Sequence, residues 1–401
     1  MISLPNRVTE LFGQIGLICG AIYLMVLPLG HVTAIRSISI VLALGLATLL
    51  WMQHEDKRLP LAPLFVVWFS VAGLSLFTTV DFPASVDAIN YEVVRSALVY
   101  FIFFTLAQRL GAFPVFSWAT IVNAFILTGL AVQTVLTNHQ WVHGYLPALG
   151  DYATTAITLI PLLAVATRNE RRLLRGAAFF ALAGLVLGGY LTHSRGFWLT
   201  LICAGVAAVA VRAYHRRRLH WKPVIALMVI GAISVGMAAK VAGVKGRSLG
   251  YFDDRSIIYT SVAQKLGDNP FTGTGYGHET DHLWYQTIPD MGPRIYHAHN
   301  IVLSYLDQMG PLGLVVLFAI FGVPTIFLLR RLNLTGALPY VSAGFALLVA
   351  VFVKNSLDYF FTGANLWLFF AHLGIFTGLL HRMQSAQSGD TCPESAPQPM
   401  S

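Results

Sequence analysis

The sequence predicts an all-α polytopic membrane protein: about 12 transmembrane helices, and one long outward-facing loop containing short helices. Two observations carry that reading. Of the 401 residues 56% are hydrophobic and only 11% charged, with a mean hydropathy of +0.66. A soluble domain carries roughly 25% charged residues, so this chain lacks the polar surface to face water as a globule of its size. Its apolar residues also come in long runs, and a run of about 18 or more reads as a membrane span. A membrane β-barrel would instead show short alternating segments.

In order, the expected spans are Leu11–Gly30, Ser37–Met52, Leu61–Val80, Ser96–Ala107, Val115–Leu136, Ala153–Thr167, Gly176–Thr192, Phe197–Val211, Pro223–Ala239, Pro311–Leu329, Pro339–Val353 and Gly363–Leu380. The first resembles a signal peptide in length. It has no clear small-x-small cleavage site and another span follows soon, so it reads as a retained helix.

Charge tests the count. With the N-terminus in the cytoplasm and sides alternating, the inside segments hold Arg7, Lys57, Arg58, Arg109, the group from Arg168 to Arg175, the group from Arg212 to Lys222, Arg330, Arg331 and Arg382. The short outside loops hold only Arg36, Arg95, Arg195 and Lys354. Cytoplasmic loops carry the excess of Lys and Arg, and one span more or fewer would scramble this bias. Both termini are therefore expected in the cytoplasm and the long loop outside. Residues 1–240 then hold nine spans, 241–310 the loop, 311–382 three more spans, and 383–401 a Ser-, Gln- and Pro-rich tail that reads as disordered. The net charge of +8 is explained by this orientation signal, and no nucleic acid is implied. Cys19 and Cys203 lie in apolar runs and Cys392 in the tail, so no disulfide framework or cysteine zinc site is expected.

Basic residues on the outer side run against the charge bias, so each needs a reason. Arg195 sits in the turn His193-Ser194-Arg195-Gly196 between two spans. It either snorkels to headgroups or holds a guanidinium at the membrane surface to grip a phosphate with two parallel hydrogen bonds and a permanent charge. Arg255, after Asp253-Asp254, either pairs with those aspartates or does the same. Arg95, three residues after Glu92, reads first as half of a helix-end ion pair. His299 is the best-placed base, because an imidazole suits proton abstraction at neutral pH and this one stands where the polar loop meets the apolar run from Ile301 to Leu303. The competing reading is a structural histidine bonded to a backbone carbonyl. His297 would share its face on a strand but not on a helix. From Asn300 to Met309 the chain is apolar enough for a re-entrant or interfacial helix leading into the Pro311 span.

Two motifs in the loop invite other chemistry. His278-Glu279-Thr280-Asp281-His282 matches the zinc-protease pattern H-E-x-x-H. The glycines of Gly273-Thr274-Gly275-Tyr276-Gly277 lead directly into it, so no long helix is established before it, and no glutamate follows before Glu394 to complete the ligand set. It reads as coincidence, with no metal expected. The glycine run does not fit G-x-x-x-x-G-K-[ST] either; a turn bringing backbone close to a neighbour or ligand suits it better.

At these residues the chain resembles the O-antigen ligase and polymerase superfamily of bacterial inner membranes. Asn269-Pro270 followed by Gly273, Gly275 and Gly277 resembles the family stretch N-P-x-x-G-x-G-x-G. His299-Asn300, followed after nine residues by Gly310-Pro311-Leu312-Gly313, resembles the ligase motif H-[NSQ]-x9-G-x-x-G. The Ser194-Arg195-Gly196 turn is similar to the family's outer-face arginine turn. Two positions depart from the ligase pattern: Tyr259 stands four residues after Arg255 where ligases often carry Leu, and Leu314-Val315 follow Gly313 in place of a Thr pair.

The resemblance implies a glycosyltransferase of the inner membrane with a periplasmic catalytic loop. Its donor is a glycan on undecaprenyl diphosphate, its acceptor a sugar hydroxyl of lipid A-core, and it uses neither metal nor nucleotide. His299 is then the expected base, and Arg255 and Arg195 the stabilisers of the leaving diphosphate. Asn300, Gly273, Gly275, Arg95, Arg294 and His297 are expected to bind substrate. The alternatives are an O-antigen polymerase or an O-linked oligosaccharyltransferase of the same superfamily. A twelve-span transporter fits less well, because the long loop follows span nine on the outer side and intramembrane charges are scarce.

Overall fold

A computed structural model of the chain describes residues 6–27, 29, 32–53, 57–138, 145–146, 150–192, 194–216, 258–265, 267, 273–286 and 298–388. Helices α1 (Asn6–Val26) and α2 (Thr33–Gln53) pair antiparallel, with Thr9 Oγ1 at the start of one bonded to Gln53 Oε1 at the end of the other, 3.0 Å away. Helix α3 (Ala62–Leu74) carries a proline in its first turn, where the missing N–H has no helical partner to lose. It ends in a 3₁₀ turn, Ser75–Phe77. Asp81 then caps α4 (Phe82–Ala88), its carboxylate accepting the Ala84 N–H at 3.0 Å. A π-turn, Ile89–Val94, joins α4 to α5 (Arg95–Ala107), making one apolar helix from Phe82 to Ala107.

Helix α6 (Ala112–Asn138) follows, then a two-residue antiparallel ladder of β1 (Tyr145–Leu146) and β2 (Gly150–Asp151). Next come α7 (Tyr152–Ala166), α8 (Arg172–Leu191) and α9 (Arg195–His215). Beyond a helical segment at 258–265 lie α10 (His278–Tyr285), α11 (Ile301–Met309), α12 (Pro311–Arg330), α13 (Leu338–Leu357) and α14 (Gly363–Ser388).

Among the described residues nine helices are long and apolar enough to cross a membrane, and Ala62–Phe77 and Tyr152–Ala166 are shorter apolar helices. The chain is a multi-pass membrane protein. Each expected span except the ninth overlaps one of these helices; Pro223–Ala239 lies outside the described residues. Two expectations are corrected. The fourth span begins at Phe82 rather than Ser96, because Asp81 and Pro83 start a helix that the π-turn carries on into α5. The Arg95–Glu92 ion pair is replaced by other contacts. The π-turn's wider i→i+5 winding takes these residues out of the i,i+3 register that a pair needs. Glu92 instead accepts the Tyr276 hydroxyl at 2.7 Å, and the Arg95 guanidinium lies 4.8 Å from the Tyr91 ring and 5.6 Å from Trp367.

Helix α14 is the axis of the bundle. It is buried along almost its whole apolar length and packs on α5, α7 and α13. Its closest approach runs through Gly374 and Gly378, one helical turn apart: a Cβ at Gly374 would lie 2.9 Å from Tyr100 O, and one at Gly378 would collide with Phe104 O. Apolar side chains gain nothing over lipid tails as a driving force inside a bilayer, so such small-xxx-small seams set helix contact there.

The contacts separate two ends of the bundle. One gathers the Ser75–Asp81 turn, the π-turn, the starts of α7, α9 and α14, the end of α13, and the loop elements. The other gathers Arg109 and Arg382, whose Nη1 donates to Arg109 O at 2.7 Å, and the α7–α8 connection.

We expect Gly378→Ala to lower the thermal midpoint of the detergent-solubilised protein, since overpacking a filled contact costs about 1–3 kcal/mol. Gly73→Ala, in a helix with nothing within 4 Å of the new Cβ, is the control that should not melt earlier. Equal midpoints for the two variants would refute the seam.

Candidate functional site

The glycine run is laid as an extended strip between the Ser75–Asp81 turn and the end of α11. The Thr274 N–H donates to Asp307 O at 2.9 Å, its carbonyl accepts from Val80 N at 2.9 Å, and the Gly275 N–H donates to Gln308 O at 3.1 Å. A side chain at Gly273 would collide with the Gln308 carbonyl, and one at Gly275, where φ is +102°, with the Thr79 hydroxyl. Only glycine fits both the angle and the space. Gly273 and Gly275, expected to meet substrate, are here buried against protein.

Below the strip lies a polar cluster. Asp281, in α10, accepts from Gln308 Nε2 at 2.7 Å and from Thr274 Oγ1 at 3.2 Å. Asp307, in α11, pairs with Lys265, whose ammonium lies 4.3 Å from the Trp284 ring. Burial, reinforced by the nearby Asp307, holds the Asp281 carboxyl well above the usual carboxylate range. Burial also raises Asp307, with Lys265 pulling the other way. A small apolar core of Ile258, Val262, Tyr285 and Ala298 gives these loop elements a centre of their own.

The H-E-x-x-H run opens the eight-residue helix α10, and the glycines before it are not helical, as expected. Asp281, at one of its variable positions, is tied into the buried cluster, and the His278 ring packs on Tyr359 with centroids 4.8 Å apart. Among the described residues no group of three or more His, Cys, Asp or Glu is placed to hold a metal ion.

His299 stands at the other edge of the loop, immediately before α11. Among the described residues it is the one non-glycine residue with a positive φ, +51°. Asn300 fixes it there. The Asn300 side-chain oxygen caps α11 by accepting from Val302 N at 2.9 Å and Leu303 N at 3.3 Å, and its Nδ2 donates to Ser356 O at 2.9 Å. The chain is thereby pinned to the end of α13, and His299 Nδ1 comes 2.8 Å from Asp358 Oδ1. Asp358 itself is set by the helix it follows, its N–H donating to Lys354 O at 3.0 Å. Both side chains keep access to solvent, at 23% and 33% exposure.

The two glycines after the histidine motif form an elbow: Gly310, φ +62°, ends α11, and a side chain at Gly313 would strike Tyr305 O. From the third side comes α9, capped by Ser194, which accepts from Phe197 N at 3.3 Å. A Cβ at Gly196 would lie 3.5 Å from Leu357 and 3.8 Å from Lys354 Cδ, so the arginine turn abuts the end of α13 that carries Asp358.

Of the expected site residues, the structure brings His299 and Asn300 together with the α9 turn that Arg195 begins; the Arg195 side chain is outside the described set. Arg255, Arg294 and His297 lie outside the described residues. Arg95 sits among Tyr91 and Trp367. Sequence reasoning missed Asp358 and the buried Lys354. One signal was available: an acidic residue in a short inter-span loop expected on the outer side, one turn after a lysine that breaks the charge bias.

Residues 178–318 match the family model described as O-antigen ligase. This segment is an O-antigen ligase family domain. It runs from α8 into α12 and so contains the α9 turn, the glycine strip, His299 and the Gly310–Gly313 elbow, while Lys354 and Asp358 lie beyond it. No curated protein matches the chain. Members of the O-antigen ligase family are glycosyltransferase-type enzymes of lipopolysaccharide synthesis that act on lipid-linked glycans in a membrane.

The buried carboxyls give a pH test. A carboxyl raised in the fold contributes stability in full below its unfolded pKa and loses it as pH climbs through the folded value. Asp281→Asn should therefore gain thermal stability relative to wild type as pH rises from about 4 to about 8. A gap between the two melting curves that stays constant with pH would remove Asp281 as a buried proton-bound group.

Proposed function

We propose that this chain is an O-antigen ligase that moves a polysaccharide from undecaprenyl diphosphate to a sugar hydroxyl of lipid A-core, on the periplasmic face of the inner membrane. The observation that carries the catalytic part is the 2.8 Å contact of His299 Nδ1 with Asp358. A carboxylate on Nδ1 holds the proton there and leaves the lone pair on Nε2, which is the state a general base needs. The acceptor oxygen attacks the anomeric carbon, the bond from that carbon to the diphosphate breaks, and the hydroxyl proton passes to His299 Nε2. Undecaprenyl diphosphate leaves with the bonding electrons.

Negative charge grows on the departing diphosphate, and fixed cations aimed at it supply the largest electrostatic part of catalysis. Arg195, at the α9 turn, and Lys354, at the end of α13, are cations of the elements that meet beside Asp358; Arg255 in the loop is the third. Asn300 positions rather than binds in this reading, because both ends of its amide are bonded within the protein. Gly273 and Gly275 likewise shape the loop. Leu314-Val315 in place of a Thr pair keeps the polymerase as the second reading. It would use the same donor chemistry and a lipid-linked glycan as acceptor.

His299→Ala should cut transfer about 10²–10⁴-fold, the worth of a general base, with protein level unchanged. Asp358→Asn should lower transfer strongly, because an amide facing Nδ1 no longer holds the ring in the productive tautomer. His299→Gly relieves the positive φ and should be inactive yet at least as heat-stable as wild type. Activity surviving in His299→Ala would remove His299 as the base. The reaction itself is read from the lipopolysaccharide of a deletion strain on a gel. Bare core with accumulating lipid-linked polymer supports the ligase, core with a single repeat supports the polymerase, and an unchanged ladder refutes both.

A further inference from the structure

At the end of the bundle away from His299, two cavities adjoin. The first, about 440 Å³, lies under the α7–α8 connection and is lined by Arg168, Asn169, Arg171 and Tyr340, with Glu170 also in its wall. The second, about 210 Å³, is an apolar groove between α7, α9 and α13, walled by Ile157, Pro161, Ala204, Ala208, Ala343 and Ala350, with Arg212 as its charged wall residue. Val165 lines both, as does the first turn of α13 at Pro339, so the groove opens into the arginine cavity.

We propose that this composite cavity is a binding site for an anionic phospholipid, one acyl chain in the groove and the phosphate among Arg168, Arg171 and Arg212. Three observations carry it. The small side chains on α9 and α13 and the proline inside α7 leave an apolar slot that a hydrocarbon chain fills. Arg212 Nε is buried without a hydrogen-bond partner among the described residues, and the charges acting on this guanidinium are those of Arg168 and Arg216, with no acid among them. A guanidinium so placed is matched by a phosphate, which accepts two parallel hydrogen bonds and neutralises the cluster. The depth also fits: from Pro339 to Ala350 α13 rises about 16 Å, half of a roughly 30 Å hydrocarbon core. That is the reach of a lipid of a single leaflet, with its headgroup at the arginine end. Basic pockets between membrane helices hold anionic headgroups in this way. The proposal does not rest on the reading of the His299 site.

The test uses the full chain in detergent, exchanged with phosphatidylglycerol or phosphatidylcholine and read by native mass spectrometry, with the thermal midpoint confirming that each variant is folded. Wild type should retain phosphatidylglycerol about 10-fold over phosphatidylcholine. The double variant Arg168→Gln, Arg212→Gln should bring the two to parity, and Arg212→Lys should keep most of the preference. Ala208→Leu, which fills the groove, should lower retention of both lipids. No preference in wild type, or one unchanged in the double variant, overturns the site. Displacement of phosphatidylglycerol by an equimolar long-chain polyprenyl phosphate would assign the groove to that lipid and overturn the proposal. Equal protection by glycerol phosphate would reduce it to a phosphate site and overturn the acyl-chain part.

Discussion

The geometry around His299 depends on a single amide side chain. The Asn300 oxygen satisfies two backbone N–H groups at the start of α11, and its nitrogen satisfies a carbonyl at the end of α13. A helix N-terminus leaves N–H groups without intrahelical partners, and a helix C-terminus leaves carbonyls. Asn300 answers both needs at once and so welds the end of one helix to the beginning of another. The preceding residue has little freedom left: its φ of +51° costs a non-glycine residue about 1–2 kcal/mol and persists because the bonds on either side over-determine it. In the mechanism we propose, this strain keeps the base positioned against its carboxylate.

The rest of the loop is fastened by a different device. A polar strip cannot lie inside a helical bundle unless its backbone groups are paired, because an unpaired group in apolar surroundings costs several kcal/mol. The glycine strip solves this with a short run of backbone bonds to Val80, Asp307 and Gln308. Glycine is needed there because the neighbouring backbone is too close for a Cβ. Tyr276 carries the connection deeper, its hydroxyl donating to Glu92 in the π-turn, with the buried Tyr305 and Tyr359 beside it. The π-turn matters here too, since its altered register turns Glu92 into the bundle to receive that hydroxyl.

Much of the fold was legible because bilayer thickness and loop charge act on composition, which a sequence displays directly. The spans on either side of the loop, the start of α11 at Asn300 and the Gly310–Gly313 elbow could all be read from local pattern. What escaped was non-local or a matter of register. Asp358 is 59 residues from His299, and an acid one turn after Lys354 does not say which residue it faces. The π-turn removed the expected Arg95–Glu92 pair although the residue spacing was right for an α-helix. That Asn300 caps α11 and reaches the end of α13 shows only once the helix boundary and its neighbour are known.

The division of parts between His299 and Asp358 has a physical logic. The carboxylate stands at the C-terminus of α13, a helix packed on α7, α9 and α14, so its position is set by the bundle. The imidazole stands on the loop side, joined to that bundle through Asn300 and through Asp358 itself. A carboxylate near a helix C-terminus faces unfavourable dipole charge, and the contact with the histidine ring offsets part of it. In the mechanism we propose, the same contact holds the ring in place for proton transfer. In that mechanism the ring keeps this orientation provided that the bundle holds Asp358 still. The small-residue seam of α14 against α5 belongs to the rigidity on which that provision rests.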